Sequence, residues 1–189
     1  MMNPVASAFR RKVPAFRRKI LPFRRTILLL ALLVAATSAV EAQVIDRIMA
    51  AVNGQTIMLS DVNAAIEFGL IVPPAGTADP LAFVLERLIE RTLILAEVER
   101  FQPPEPDPIE ITIRIDEIQK RLGPAAFEKS LKVTGSTRED LQRFVRNDLR
   151  MATYLNQRFG DVPERPTAIA TWVGELRRRA DVTMQYKGR

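Results

Sequence analysis

Side-chain chemistry is limited in this chain from the outset. None of its 189 residues is His or Cys. Imidazole bases, thiol nucleophiles, disulfides and Cys/His metal sites are therefore excluded. Asp, Glu, Ser, Lys and Tyr remain as acids, bases or nucleophiles. None of them falls in a spacing that marks a reaction, so no catalytic residue, cofactor or metal ligand is assigned and the chain is not read as an enzyme. The run Arg177-Arg178-Arg179 could hold an anion. It stands at the end of an amphipathic segment, where a helix dipole favours cations, and it reads better as a solvated helix C-terminus.

Formal net charge is +6 and the sequence pI is about 10.2, which taken alone suggests nucleic acid or an acidic membrane as partner. The basicity is local, however. Residues 1–42 hold eight of the 28 Lys and Arg and one acid, Glu41, leaving 20 basic and 21 acidic residues in the remainder. A nucleic-acid partner is rejected on that balance.

The basic segment leads into Thr26–Val40, an uncharged run preceded by Arg24-Arg25. The run is short of the roughly 20 apolar residues a spanning helix needs and suits the apolar region of a secretory signal. Val40-Glu41-Ala42 offers small residues at the −3 and −1 positions, which predicts cleavage between Ala42 and Gln43, with Thr37-Ser38-Ala39 as second choice. The expected location is the periplasm, with residues 1–42 as signal peptide and no stable membrane span after cleavage. Upstream, Phe9-Arg10-Arg11, Phe16-Arg17-Arg18 and Phe23-Arg24-Arg25 recur every seven residues. That spacing fits a basic membrane-surface helix, and it fits equally an extended positive region of the signal, the reading preferred here.

The elements that must position any site begin at Ile45. Two apolar, β-branched segments, Ile45–Val52 and Gln55–Leu59, flank Asn53-Gly54, a pair that tolerates positive φ and so suits a two-residue hairpin turn. Ser60 or Asp61 then offers an N-cap for a helix over about Asp61–Leu70. Pro73-Pro74 breaks it. Asp79-Pro80 starts the strongest periodic segment, Pro80–Phe101. Leu81, Val84, Leu85, Leu88, Ile89, Leu95 and Val98 form its apolar face, and Glu86, Arg87, Glu90, Arg91, Glu97 and Arg100 its wet side. Pro103–Pro108 makes a stiff connector. Over 109–122 two periods compete. Ile109, Ile111, Ile113 and Ile115 alternate like a strand, while Ile111, Ile115, Ile118 and Leu122 repeat like a helix. Asp107-Pro108 and the helix formers near residue 120 decide for a helix ending at Gly123-Pro124. A short helix follows over Ala125–Val133. Ser136-Thr137-Arg138-Glu139 reads as a capping box for a helix to Phe159, with Leu141, Phe144, Val145, Leu149, Ala152, Leu155 and Phe159 in a stripe. Gly160 ends it. After a linker at 161–165, Pro166–Arg179 is helical and Asp181–Tyr186 alternates like a strand. The fold expected is mostly α with a small β element, the N-terminal hairpin pairing with the C-terminal strand.

Asp46-Arg47-Ile48-Met49-Ala50-Ala51-Val52-Asn53-Gly54, followed by Ile57-Met58-Leu59-Ser60-Asp61-Val62, resembles the opening of the N-terminal domain of SurA-like periplasmic chaperones. Trp172–Val182 is similar to that family's closing segment. The resemblance covers most of residues 44–187 and is weakest over 103–135. It implies one helical chaperone domain, 43–160, completed by the helix and strand of 166–189. In the family, parvulin-type prolyl isomerase domains are inserted between these parts. Here only Asp161–Arg165 stands at that place, whereas a domain needs at least about 50 residues, and the His that parvulin sites normally contain is missing.

The resemblance thus implies a holdase for unfolded or nascent outer-membrane and envelope proteins, without isomerase activity and with a separate isomerase as a possible partner. Its alternatives are a divergent prolyl isomerase and an accessory structural subunit of an envelope complex. A client groove needs apolar side chains able to re-pack, and Met58, Phe68, Phe101, Met151, Tyr154 and Trp172 are the candidates. Ordinary core packing is the competing role for each, since apolar residues at helical spacing usually face a core.

Overall fold

A computed structural model describes residues 46–188. The signal region, its cleavage site, the Phe-Arg-Arg repeats and Ile45 lie outside the described residues. Asn53 and Gly54 both have positive φ, 50° and 83°. They join β1 (Ile48–Val52) to β2 (Gln55–Met58) as an antiparallel hairpin, the turn that an Asn-Gly pair favours. The register shifts between Ile48 and Ala50. This irregularity turns Met49 and Ala50, adjacent in sequence, both into the core, which regular alternation would forbid.

Six helices follow: α1 (Leu59–Glu67), α2 (Pro80–Phe101), α3 (Pro108–Leu122), α4 (Pro124–Thr134), α5 (Arg138–Phe159) and α6 (Arg165–Arg179). The last strand, β3 (Val182–Met184), returns to β1 with Val182 opposite Val52 and Met184 opposite Ala50. The sheet order is β2-β1-β3. Asn53 N donates to the Asp181 carbonyl at 2.8 Å, and Asp181 N donates to Asn53 Oδ1 at 2.9 Å. Beyond β3, the Met49 carbonyl accepts from Gln185 N at 2.9 Å and Tyr186 N at 3.1 Å. The Tyr186 hydroxyl then donates to Asp79 Oδ2 at 2.9 Å. The end of the chain is therefore tied both to the hairpin and to the start of α2.

Several boundaries depart from the sequence reading. β1 begins at Ile48, β2 ends at Met58 because Leu59 is already helical, and β3 stops at Met184. Neither Ser60 nor Asp61 is the N-cap of α1; Met58 is. Ser60 instead donates its hydroxyl and its N–H to Asp46, while Asp61, inside the first turn, accepts from Met58 N at 2.8 Å. The helix starts two residues early and ends at Glu67, ahead of Gly69 at φ 58°. The capping box of α5 also moves one residue along, to Thr137 and Asp140. α2 matches its expected limits, with the Asp79 carboxylate accepting from Ala82 N at 2.9 Å. Residues 108–122 are helical, Asp107 accepting from Ile109 N at 2.8 Å. Among the described residues no helix is long and apolar enough to cross a membrane.

Packing divides into two cores. The larger holds the sheet residues Met49, Ala50, Val52 and Ile57, the apolar face of α2, Tyr154 and Phe159 of α5, and Trp172, Val173 and Leu176 of α6. The smaller joins Phe68, Ile115, Ile118, Phe127, Leu131, Leu141 and Val145. α1 reaches the first through Val62 and Ala65, and its C-cap Phe68 reaches the second. α5 contributes to the second at its start and to the first at its end. Both helices therefore bridge the cores, and burial of apolar surface on either side is what holds them in place.

Candidate functional site

Where two bridging helices span two cores, the space between them need not fill. Here it opens as a cleft. One pocket of about 210 Å3 is bounded by Thr56 and Ile57 of β2, Asp61, Ala64 and Ala65 of α1, Phe68 and Leu70 just after α1, Leu88, Arg91 and Thr92 of α2, and Ser136, Asp140, Leu141 and Phe144 around α5. A second, of about 290 Å3, continues past Leu70, Ile71, Val72, Phe83, Arg87, Asp148 and Met151. A third, of about 350 Å3, opens over Ser60, Asp61, Thr134, Ser136, Arg143 and Asn147. All three share Arg91 and Phe144. Because successive strand residues point to opposite faces, a pocket touching both Thr56 and Ile57 passes the edge of β2. Among the described residues that edge has no neighbouring strand in the sheet.

Arg91 is the floor. The residue is 9 % exposed, and its guanidinium carbon lies 3.7 Å from the centre of the Phe144 ring, a cation–π contact. Nη2 donates to the Phe144 carbonyl at 2.9 Å. Nη1 pairs with Asp148 and lies 3.5 Å from Met151 Sδ. Burial pushes the guanidinium down to about 10, so it stays cationic at neutral pH. The sequence reading put Arg91 on the wet side of α2, and the structure corrects this. Val84, Leu88, Arg91, Leu95 and Val98 repeat at helical spacing, so Arg91 stands inside the apolar stripe. That spacing was the available signal.

A second arginine, Arg150, is also buried, with only 5 % exposed. It pairs with Glu99 of α2 and, at 3.3 Å, with Glu105 of the Pro-rich connector. The Glu99 hydrogen bond raises its pKa above the ordinary arginine value. Arg91 and Arg150 thus stitch α2 to α5 beside the cleft.

The rim is acidic at one end. Asp61 is an exposed rim residue. Crowding by the surrounding protein still raises its carboxyl, with the Met58 N–H acting against the rise and Asp46 and Asp140 adding to it. Asp140 is lowered, because the Thr137 N–H and hydroxyl both donate to its carboxylate, and it pairs with Arg143. No group of three or more His, Cys, Asp or Glu side chains among the described residues could hold a metal ion.

The six residues expected to line a groove are separated. Phe68 and Met151 border the cleft, although Phe68 is fully buried with its ring edge-on to Phe127 at 5.6 Å. Tyr154 and Trp172 are core residues, 5.9 Å apart between ring centres. Phe101 is 61 % exposed and packs its ring against Tyr154 at 5.3 Å. Met58 is half-buried at the junction of β2 and α1. Phe101, Tyr154, Trp172 and Met58 border none of the three pockets.

No protein-family model matches the chain, and a search of curated proteins finds no match.

Proposed function

We propose that this protein is a periplasmic holdase-type chaperone of the SurA-like kind, without an isomerase domain, that binds unfolded outer-membrane or envelope proteins. The observation that carries the reading is the open cleft between two separately packed cores, walled by apolar side chains and running past a strand edge that is unpaired among the described residues. An extended chain can add to such an edge through its backbone while its side chains enter the cleft. The hairpin closed by the C-terminal strand supports the kinship, being the arrangement the resemblance implies. α5 connects to α6 through Gly160–Glu164 alone, which supports a domain that holds without isomerising. Export by a signal cleaved at Ala42/Gln43 belongs to the same proposal. N-terminal sequencing of the exported protein tests it, and an intact residue 1 in the membrane fraction would contradict it.

The experiment for holding is dilution of a urea-unfolded outer-membrane protein into buffer with and without the purified protein. Light scattering should rise more slowly in its presence, and an unchanged rise at molar excess would remove the reading. A protease-coupled prolyl peptide assay should return the uncatalysed rate; acceleration would favour a divergent isomerase instead. A second reading, an accessory subunit of an envelope complex, draws on the burial of Phe68, Tyr154 and Trp172. Their burial leaves fewer aromatic groups free to re-pack around varied clients. Co-purification of one stoichiometric partner would favour it.

A further inference from the structure

A cleft that holds extended chains still has to choose among them, and its charges decide which. Arg91 is neutralised by Asp148 and covered by Phe144, and Arg143 is paired with Asp140. Asp46 is engaged by Ser60 and by the Arg47 N–H. Asp61 accepts a single backbone hydrogen bond and, among the described residues, has no ion-pair partner. It is exposed at the rim where two of the pockets meet, next to the apolar wall of Ala64, Ala65 and Leu141.

We infer that the cleft selects extended apolar segments that carry one cationic side chain, with that cation placed against Asp61. The inference rests on the holding reading and names its client class. Three features work together. The outer edge of β2, free among the described residues, takes the backbone in extended form. The apolar walls take alternate side chains. The uncompensated carboxylate at the rim attracts a Lys or Arg and repels an acid. Burial is the largest cause of the raised Asp61 carboxyl, and Asp46 and Asp140 add negative potential beside it; a bound cation would lower it again.

The test uses fluorescence anisotropy of labelled extended peptides, rich in apolar residues and identical except for one central Lys, Gln or Glu. At low salt the Lys peptide should bind about threefold more tightly than the Gln peptide, the size expected of an exposed pair, and the Glu peptide more weakly than both. The preference should shrink at high salt and vanish in Asp61→Asn, which keeps an acceptor for Met58 N. Equal binding of the three peptides, or an undiminished Lys preference in Asp61→Asn, overturns the cation preference and leaves the holding reading intact. Binding by none of the peptides overturns both. Should Asp61→Asn not fold, the salt dependence in the unmodified protein decides: a Lys preference indifferent to salt contradicts the assignment.

Discussion

Arg91 makes the cost of a buried cation measurable. Its partner Asp148 is half exposed, so removing the guanidinium leaves no buried lone charge behind. Arg91→Met keeps the length and apolar stem, and should cost less than about 1 kcal/mol. Arg91→Ala also forfeits the contact with Phe144 and leaves a void, and should cost about 2–3 kcal/mol. Urea midpoints check both, and equal losses would contradict the assignment of packing as the larger contribution.

Two rim carboxylates respond oppositely to acid. The folded carboxyl of Asp140 lies below its ordinary value of 3.8. Its contribution is therefore complete above that value and is lost as pH falls through the lower folded one. Asp61 is raised, so it costs stability while ionised and regains it as pH falls through its folded value towards 3.8. Asp140→Ala should cost about 0.5–1 kcal/mol at pH 7, the size of the lost capping-box hydrogen bonds at a half-exposed side chain, and flatten the acid limb of a stability–pH curve. Asp61→Asn should be neutral or slightly stabilising at pH 7. A comparable loss in both would contradict this division of roles.

At the scale of elements, the punctuation of the chain was legible. Asn53-Gly54, Asp79-Pro80 and Asp107-Pro108 each act as their chemistry predicts, because a turn or cap depends on a few neighbouring atoms. Helix α3 came out correctly from two competing periods because Asp107-Pro108 broke the tie. The cap of α1 did not, since Ser60 is drawn to Asp46, fourteen positions away, and a contact at that range leaves no local trace. The same holds for Ala152, expected in the stripe of α5 yet exposed, while Arg150 and Tyr154 are buried. The stripe of α5 still places Leu141, Val145 and Phe159 inward, but the burial of Arg150 depends on Glu99 of α2 and Glu105 of the connector. Gly54 offers a clean check of the hairpin. A Cβ there meets nothing within 4 Å, so Gly54→Ala should cost only the left-handed strain, about 1–2 kcal/mol, read as a lower melting temperature. No loss would mean the turn relaxes freely.

For the whole molecule, the division into two cores was not readable from the sequence. Both cores draw on the apolar faces of amphipathic helices, and only their packing separates Phe68 and Leu141 from Tyr154 and Trp172. The same packing leaves the cleft and disperses the side chains expected to line a groove. Closing of the chain upon itself by β1 and β3 was legible, because alternation at both ends left two unpaired edges to satisfy.

The central claim is that unfolded chains are held in the cleft between the cores. Site-specific photocrosslinking tests it most directly, with a photoreactive residue at Ser136, on the cleft wall, or at Val133, exposed on α4, in the presence of an unfolded outer-membrane protein. The account predicts crosslinked client from position 136 and little from position 133. Equal yields from the two positions, or none from 136 while aggregation is still slowed, would contradict it.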